Sequence, residues 1–141
     1  MERKNTWLSY TEAEIEKLES LASDYKEYLT GGKTERECVK ESVKLAQRAG
    51  YQDLEHFIAE EKKLNPGDKV YRTWMDKTIV LFQIGEKPME DGLNILGAHI
   101  DSPRMDLKQN PLYEDTEMVL LDTHYYGGVK KYQWVTLPLA L

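Results

Sequence analysis

The first third of the chain places apolar residues at the three- and four-residue steps of amphipathic helices. One series runs through Ile15, Leu18, Leu21, Ala22, Tyr25 and Leu29, and a second through Val39, Val43, Leu45 and Ala46. Before each series stands a Thr that is followed three residues later by Glu, at Thr11 and Thr34, which is the pattern of a capping box. Glycines follow both series at residues 31–32 and 50. The pattern predicts two helices.

Beyond these helices the period changes to that of strands. Asp53 is a candidate cap for a short third helix, and residues 65–68, Asn-Pro-Gly-Asp, form a turn sequence. Residues 69–75 and 78–84 then predict a β-hairpin. Residues 93–99 predict a buried strand, apolar enough to be central in a sheet. Residues 105–108 and 118–121 predict further extended segments, with Asn110 and Pro111 ending the first.

Composition places the chain among soluble globular proteins. Its 141 residues are 40% hydrophobic and 31% charged, which argues against disorder and against a membrane protein. The net charge of −6 without a basic stripe argues against nucleic acid as a partner. The one cysteine, Cys38, precludes an internal disulfide, fits a cytoplasmic location and is expected to be a packing residue. Residues 1–7 do not resemble a secretory signal.

Candidate chemistry begins where the predicted strand 93–99 ends. Residues 97–104 read Gly-Ala-His-Ile-Asp-Ser-Pro-Arg, so His99 and Asp101 lie two apart and would point to the same side of an extended segment. They could bind one metal ion, with Asp101 as a second ligand or as the group that orients the imidazole. A His-x-Asp triplet is expected by chance ~0.2 times in this composition, and an ordinary structural pair is the alternative.

The last residues also carry a prediction. Residues 137–141, Leu-Pro-Leu-Ala-Leu, form an apolar run that we interpret as a strand in need of a partner. We therefore expect this chain to be the front part of a longer protein.

Three stretches taken in order resemble a known family. They are residues 97–108, residues 124–128 (His-Tyr-Tyr-Gly-Gly) and residues 130–134 (Lys-Lys-Tyr-Gln-Trp). The series is similar to the amino-terminal portion of metalloaminopeptidases of the aspartyl aminopeptidase and aminopeptidase I family. The order of the predicted helices, hairpin and strand also agrees.

The resemblance implies a domain organisation and a site. The expected fold is α/β, a partial mixed sheet with flanking helices, in which residues 1–110 belong to the catalytic domain and residues 111–141 begin an inserted β-rich domain. By the same resemblance His99 is a metal ligand, and Asp101 is the catalytic-site carboxylate that fixes the imidazole. The complete enzyme would hold two divalent metals, usually zinc, and assemble into a homo-oligomer, a dodecamer in the family. The remaining ligands and the general base would lie outside this sequence.

The function implied is metal-dependent release of amino-terminal residues from peptides, with one branch preferring acidic residues. Because most of the site would be missing, this chain by itself is expected to be inactive. The alternative is a non-catalytic truncated product, an interaction or assembly module that pairs through exposed strands near Val119 and Val135. Three further residues are weaker candidates for the site. His124 could be a ligand, whereas His56 is expected to be a surface residue. Arg104 is expected to form an ion pair rather than to bind an acidic substrate.

Overall fold

The computed structural model describes residues 5–139 and divides into two compact units, between Leu96 and Gly97. The first contains, in chain order, a 3-10 turn (Thr6–Leu8), helices α1 (Glu12–Gly31) and α2 (Glu35–Arg48), strand β1 (Gln52–Asp53), helix α3 (Leu54–Ala59), strands β2 (Lys69–Trp74) and β3 (Thr78–Gln83), and a second 3-10 turn (Met89–Asp91). The second contains strands β4 (Arg104–Asp115) and β5 (Met118–Tyr126) and the single-turn helix α4 (Lys131–Trp134).

Both predicted capping boxes are present. The backbone N–H of Thr11 donates to Glu14 Oε2 at 2.8 Å, and the Glu14 N–H donates back to Thr11 Oγ1 at 3.3 Å. Thr34 and Glu37 make the same reciprocal pair at 2.9 and 3.3 Å. These hydrogen bonds to the threonine backbone lower the pKa of the Glu14 and Glu37 carboxyls, because they favour the charged form. Sequence alone therefore located both helix starts.

The predicted hairpin and the mixed sheet are confirmed. β2 pairs antiparallel with β3 from Lys69↔Gln83 to Trp74↔Thr78, and the turn between them holds Met75 and Asp76 at positive φ. β1 pairs with β2 in parallel, because α3 carries the chain across before β2 begins. The side chain of Asp53 caps α3, as predicted, by accepting the Glu55 N–H at 3.0 Å. The fold class is α/β with flanking helices.

The core of the first unit lies between α2 and β2. Its buried apolar residues are Cys38, Val39, Ala46, Val70 and Tyr71, of which Val70 is completely inaccessible. Gln47 Nε2 donates to the Tyr71 hydroxyl at 3.0 Å, which satisfies this polar group at the edge of the core. Cys38 is a packing residue, as predicted. A Cβ atom at Gly32 would lie 2.7 Å from its sulfur, so this position has no room for a side chain.

The second unit is an antiparallel ribbon. β4 pairs with β5 from Arg104↔Tyr126 to Asp115↔Met118, with a register shift between Leu107 and Leu112. The prediction that Asn110 and Pro111 end the strand is wrong, because the strand continues past them. Proline cannot donate to the ladder, and the ribbon accommodates it at the irregularity in register instead of ending there.

The predicted strand at residues 93–99 is also wrong. Residues 92–103 have no helix or strand, Ile95 is 85% exposed and Leu96 is fully exposed. A central strand needs backbone partners on both edges, and the sheets of residues 5–139 pair only β1 with β2, β2 with β3 and β4 with β5. The apolar pattern is therefore present without the ladder that would make it a strand.

The apolar run at residues 137–141 lies partly outside the described residues. Residues 137–139 have no helix or strand, and residues 140 and 141 are not described. Residues 1–4, part of the start that does not resemble a secretory signal, also lie outside the described residues. Val135, predicted near a pairing strand, instead caps α4, because the chain makes a single helical turn there. Val119 does lie in a strand, β5.

Two further observations concern organisation. The chain divides after Leu96, whereas the predicted boundary after residue 110 falls inside β4. The assignment of residues 1–110 to a catalytic domain and of residues 111–141 to an inserted domain stays a prediction. Within residues 5–139 no helix combines the length and the apolar character required to span a bilayer.

The capping boxes predict a specific acid response. Because folding lowers the pKa of Glu14 and Glu37 from 4.5, they stabilise the fold above that value and lose this contribution as the pH falls through their folded pKa. We expect thermal melts of the Glu14→Gln/Glu37→Gln variant to depend less on pH than wild type between about pH 6 and about pH 3. Glu19→Gln, further along α1, is the control and should leave the acid profile of the caps in place.

Candidate functional site

The predicted pair His99 and Asp101 is in direct contact. His99 Nδ1 lies 3.1 Å from the Asp101 carbonyl oxygen and 3.2 Å from Asp101 Oδ1. Both of these oxygens can only accept, apart from a protonated carboxyl, so Nδ1 is the donor. The lone pair of the neutral imidazole is then on Nε2. This is the tautomer that a metal-binding histidine adopts when a carboxylate orients it.

The pair lies in an open loop. The His99 side chain is 83% exposed and that of Asp101 is 38% exposed. The expectation that His99 follows a buried strand at the edge of a sheet is not met, because the residues before it are irregular and exposed. Within the second unit the loop leads directly into β4, so strand pairing holds it on its carboxyl-terminal side.

A three-residue cluster holds the start of β4 against the end of β5. Arg104 is opposite Tyr126 in the ladder, and its guanidinium lies 4.2 Å from the centroid of the tyrosine ring. Arg104 Nε also donates to both carboxylate oxygens of Asp106, at 3.0 and 3.1 Å. The prediction that Arg104 serves in an ion pair is confirmed. We call Arg104, Asp106 and Tyr126 the ribbon clamp.

Gly127, which follows Tyr126 at the end of β5, lies close to this loop. Gly127 follows β5 with φ +72°, and a Cβ atom there would lie 3.4 Å from Pro103 Cα and 3.9 Å from Asp101 Oδ2. The turn after β5 therefore lies against the loop that carries His99 and Asp101. Sequence reasoning favoured a packed junction or subunit contact for Tyr126 and assigned Gly127 no role, since contact between residues 103 and 127 is not visible in local spacing.

The other histidines lie elsewhere. His56 is on α3 in the first unit, and His124 is on β5, where its ring stacks on Tyr125 with 5.8 Å between centroids. Among residues 5–139, no three His, Cys, Asp or Glu side chains are grouped so that they could hold a metal ion. Zinc in proteins takes three or four ligands. His99 therefore fits the role of one oriented ligand, and the described residues do not make a complete zinc centre.

Comparison with known proteins identifies the family. The family model described as "Aminopeptidase I zinc metalloprotease (M18)" matches residues 28–141, which is most of the chain. A "Probable M18 family aminopeptidase 1" of Clostridium acetobutylicum is 51% identical over 140 residues, 99% of this chain. The chain belongs to the M18 family.

Other M18 proteins agree with this assignment. A probable M18 family aminopeptidase 1 of Borreliella afzelii is 40% identical over the whole chain. The crystal structure of aminopeptidase I from Borrelia burgdorferi B31 superposes with a TM-score of 0.78 at 38% identity, covering 96% of this chain and 32% of that one. That of aminopeptidase I from Clostridium acetobutylicum gives 0.73 at 51% identity, covering 98% and 30%. The M18 chain spans about 30% of the length of the curated relatives it matches.

The family findings confirm the resemblance on which the sequence analysis relied. M18 proteins are described as zinc metalloproteases, so zinc is the metal of the family. The individual roles of His99 and Asp101 stay predictions.

The geometry predicts the protonation pattern of His99. In the neutral form of the imidazole we expect His99 to carry its proton on Nδ1, whereas within residues 5–139 no ring hydrogen bond of the exposed His56 selects a tautomer. Long-range ¹H–¹⁵N correlation spectra of the ¹⁵N-labelled chain measure this, with His99→Gln to assign the signals. Asp101→Ala should weaken the preference. An unprotonated Nδ1 in the unsubstituted chain would contradict the hydrogen bond.

Proposed function

We propose that a polypeptide carrying this M18 segment is a zinc aminopeptidase, which releases amino-terminal residues from peptides, and that His99 is one of its metal ligands. The observation that carries this is the contact of His99 Nδ1 with two oxygen acceptors of Asp101, in a chain that belongs to a zinc metalloprotease family. An exposed histidine whose tautomer is restricted in this way is suited to bind a cation through Nε2.

In this proposal the two residues divide the work. His99 offers the Nε2 lone pair, and its exposure leaves that atom accessible to an ion and to other ligands. Asp101 accepts a hydrogen bond from Nδ1–H, which orients the ring and increases the electron density available at Nε2. Zinc, when bound, lowers the pKa of water and polarises a peptide carbonyl. Asp101 is thus a positioning carboxylate rather than a proton carrier.

The remaining features of the proposal come from the family resemblance. They are two divalent metals rather than one, a peptide substrate, assembly into a homo-oligomer and a cytoplasmic location. The single cysteine, which is buried and unpaired, supports a reducing compartment. The absence of a three-ligand group in residues 5–139 supports a site that the rest of the polypeptide completes.

A chimera tests the activity. We would replace the aligned part of the Clostridium acetobutylicum relative with this chain, which is 51% identical to it, and measure hydrolysis of aminoacyl p-nitroanilides. We expect activity that a chelator removes and zinc restores. His99→Ala should lower kcat/KM by about a thousandfold, which is about 4 kcal/mol. Asp101→Ala should weaken zinc affinity by about 10–100-fold.

The matched control for this chimera is His56→Ala, which removes an exposed imidazole from α3 and should leave hydrolysis unchanged. Equal hydrolysis by the parent chimera and its His99→Ala variant would refute the assignment of His99.

The 141-residue chain by itself supplies a second test. With one oriented imidazole and no complete ligand group in residues 5–139, it should bind zinc weakly and show no metal-dependent hydrolysis. Titration calorimetry and the same p-nitroanilide assay measure both properties. Stoichiometric, tight zinc binding with turnover would show that the chain contains a complete site. A concentration-independent oligomer that binds no zinc would instead favour the interaction module.

A further inference from the structure

We propose that Gly127 is a positioning residue for the His99–Asp101 pair: its lack of a side chain leaves the room that the Asp101 carboxylate occupies when it accepts the hydrogen bond from His99 Nδ1. The significance of this role for catalysis rests on the proposed function. The contact itself does not, because it can be measured without metal or substrate.

The first observation is the direction in which Gly127 faces. With φ +72°, a Cβ atom on this residue would lie 3.4 Å from Pro103 Cα, 3.6 Å from Pro103 N and 3.9 Å from Asp101 Oδ2. A methyl group there would be in ordinary van der Waals contact. A longer side chain that extends toward Asp101 would compete with its carboxylate for space.

The second observation is that Gly92 and Gly128 have no such close neighbours. Gly92 has φ +111° and Gly128 has no positive φ, yet a Cβ atom on either would meet nothing within 4 Å. Positive φ alone therefore does not distinguish Gly127, and neither does its place in a Gly-Gly pair. The distinguishing feature is the contact with residues 101 and 103.

The third observation is that the support is itself immobilised. Gly127 directly follows Tyr126, whose ring is covered by the Arg104 guanidinium, and Arg104 is in turn bonded to Asp106. Arg104 directly follows Pro103 in sequence. Arg104 and Tyr126 are the sequence neighbours of Pro103 and Gly127, and the ribbon clamp joins them. The turn and the loop therefore cannot separate without breaking the stacking of Arg104 on Tyr126.

These contacts define how the two carboxylate oxygens of Asp101 are used. Oδ1 lies 3.2 Å from His99 Nδ1, and Oδ2 is the atom nearest to the Gly127 position. A polar side chain at position 127 would displace Oδ2, rotate the carboxylate and draw Oδ1 away from the imidazole. The predicted result is a weaker preference for the Nδ1-protonated tautomer, because the Asp101 carbonyl oxygen, 3.1 Å away, still accepts from Nδ1.

The experiment uses the 141-residue chain and the ring ¹⁵N signals of His99 at alkaline pH. We choose Gly127→Asn, because asparagine tolerates positive φ and therefore adds a side chain with little backbone strain. We expect the preference of His99 for the Nδ1-protonated form to weaken, as in Asp101→Ala, and its ring signals to move toward those of the exposed His56. Gly128→Asn and Gly92→Asn are the matched controls, and both should leave His99 unchanged.

A double-mutant cycle tests whether the effect passes through the carboxylate. In an Asp101→Ala background, Gly127→Asn should cause no further shift of the His99 signals. The proposal is overturned if Gly127→Asn leaves His99 unchanged, or if the shift persists in full without the Asp101 carboxylate. Cross-strand contacts between Met105 and Tyr125 report whether the ribbon is intact. If the Asn variant loses them, Gly127→Ala is the deciding variant, with a smaller shift expected in the same direction.

This outcome is separable from that of the proposed function. Failure of His99→Ala to impair the chimera would remove the metal role of His99 but leave the dependence of its tautomer on Gly127 intact. Conversely, an unchanged tautomer in the Gly127 variants would remove the positioning role, whatever the chimera does.

Discussion

A β-strand forms only where a neighbouring strand completes its backbone hydrogen bonds, and this requirement decides which apolar segments of the chain become ordered. β2 and β3 pair with each other across a tight turn, and β4 and β5 are likewise paired strands that are neighbours in sequence. Residues 93–99 have an equally apolar composition but no neighbour of this kind, and they remain irregular and exposed. Local pairing is thus the condition on which the described architecture depends.

The same constraint shapes the candidate site. The loop with His99 and Asp101 is not supported by a strand before it, so its order must come from the ribbon on its carboxyl-terminal side. The ribbon clamp joins the start of β4 to the end of β5, and the turn at Gly127 contacts the loop from that side. A short ribbon, stabilised by a stacked guanidinium and a chelating carboxylate, can in this way hold an exposed histidine in one tautomer. Within residues 5–139, the contacts identified for this loop lie in the second unit.

Much of the first unit was predictable, because its determinants are local. The Thr–Glu pairs at both helix starts, Asp53 as a cap and the two strands around Met75 and Asp76 all depend on residues within a few positions of each other. The His99–Asp101 contact was predictable for the same reason, since alternate residues of an extended segment share a side. The prediction that Asn110 and Pro111 end the strand was wrong, because the ribbon accommodates the missing N–H donor of the proline at a register shift.

By itself, the sequence determined the starts of α1 and α2, the hairpin, the α/β class, the family and the pair of residues with metal-binding chemistry. Each of these comes from interactions within one element or from motifs read in order. Only the tertiary structure decided that residues 93–99 have no strand partner within residues 5–139, that Arg104 stacks on Tyr126, and that position 127 faces Pro103. These features join residues about twenty or more positions apart, or require a partner strand, and local spacing carries no information about either.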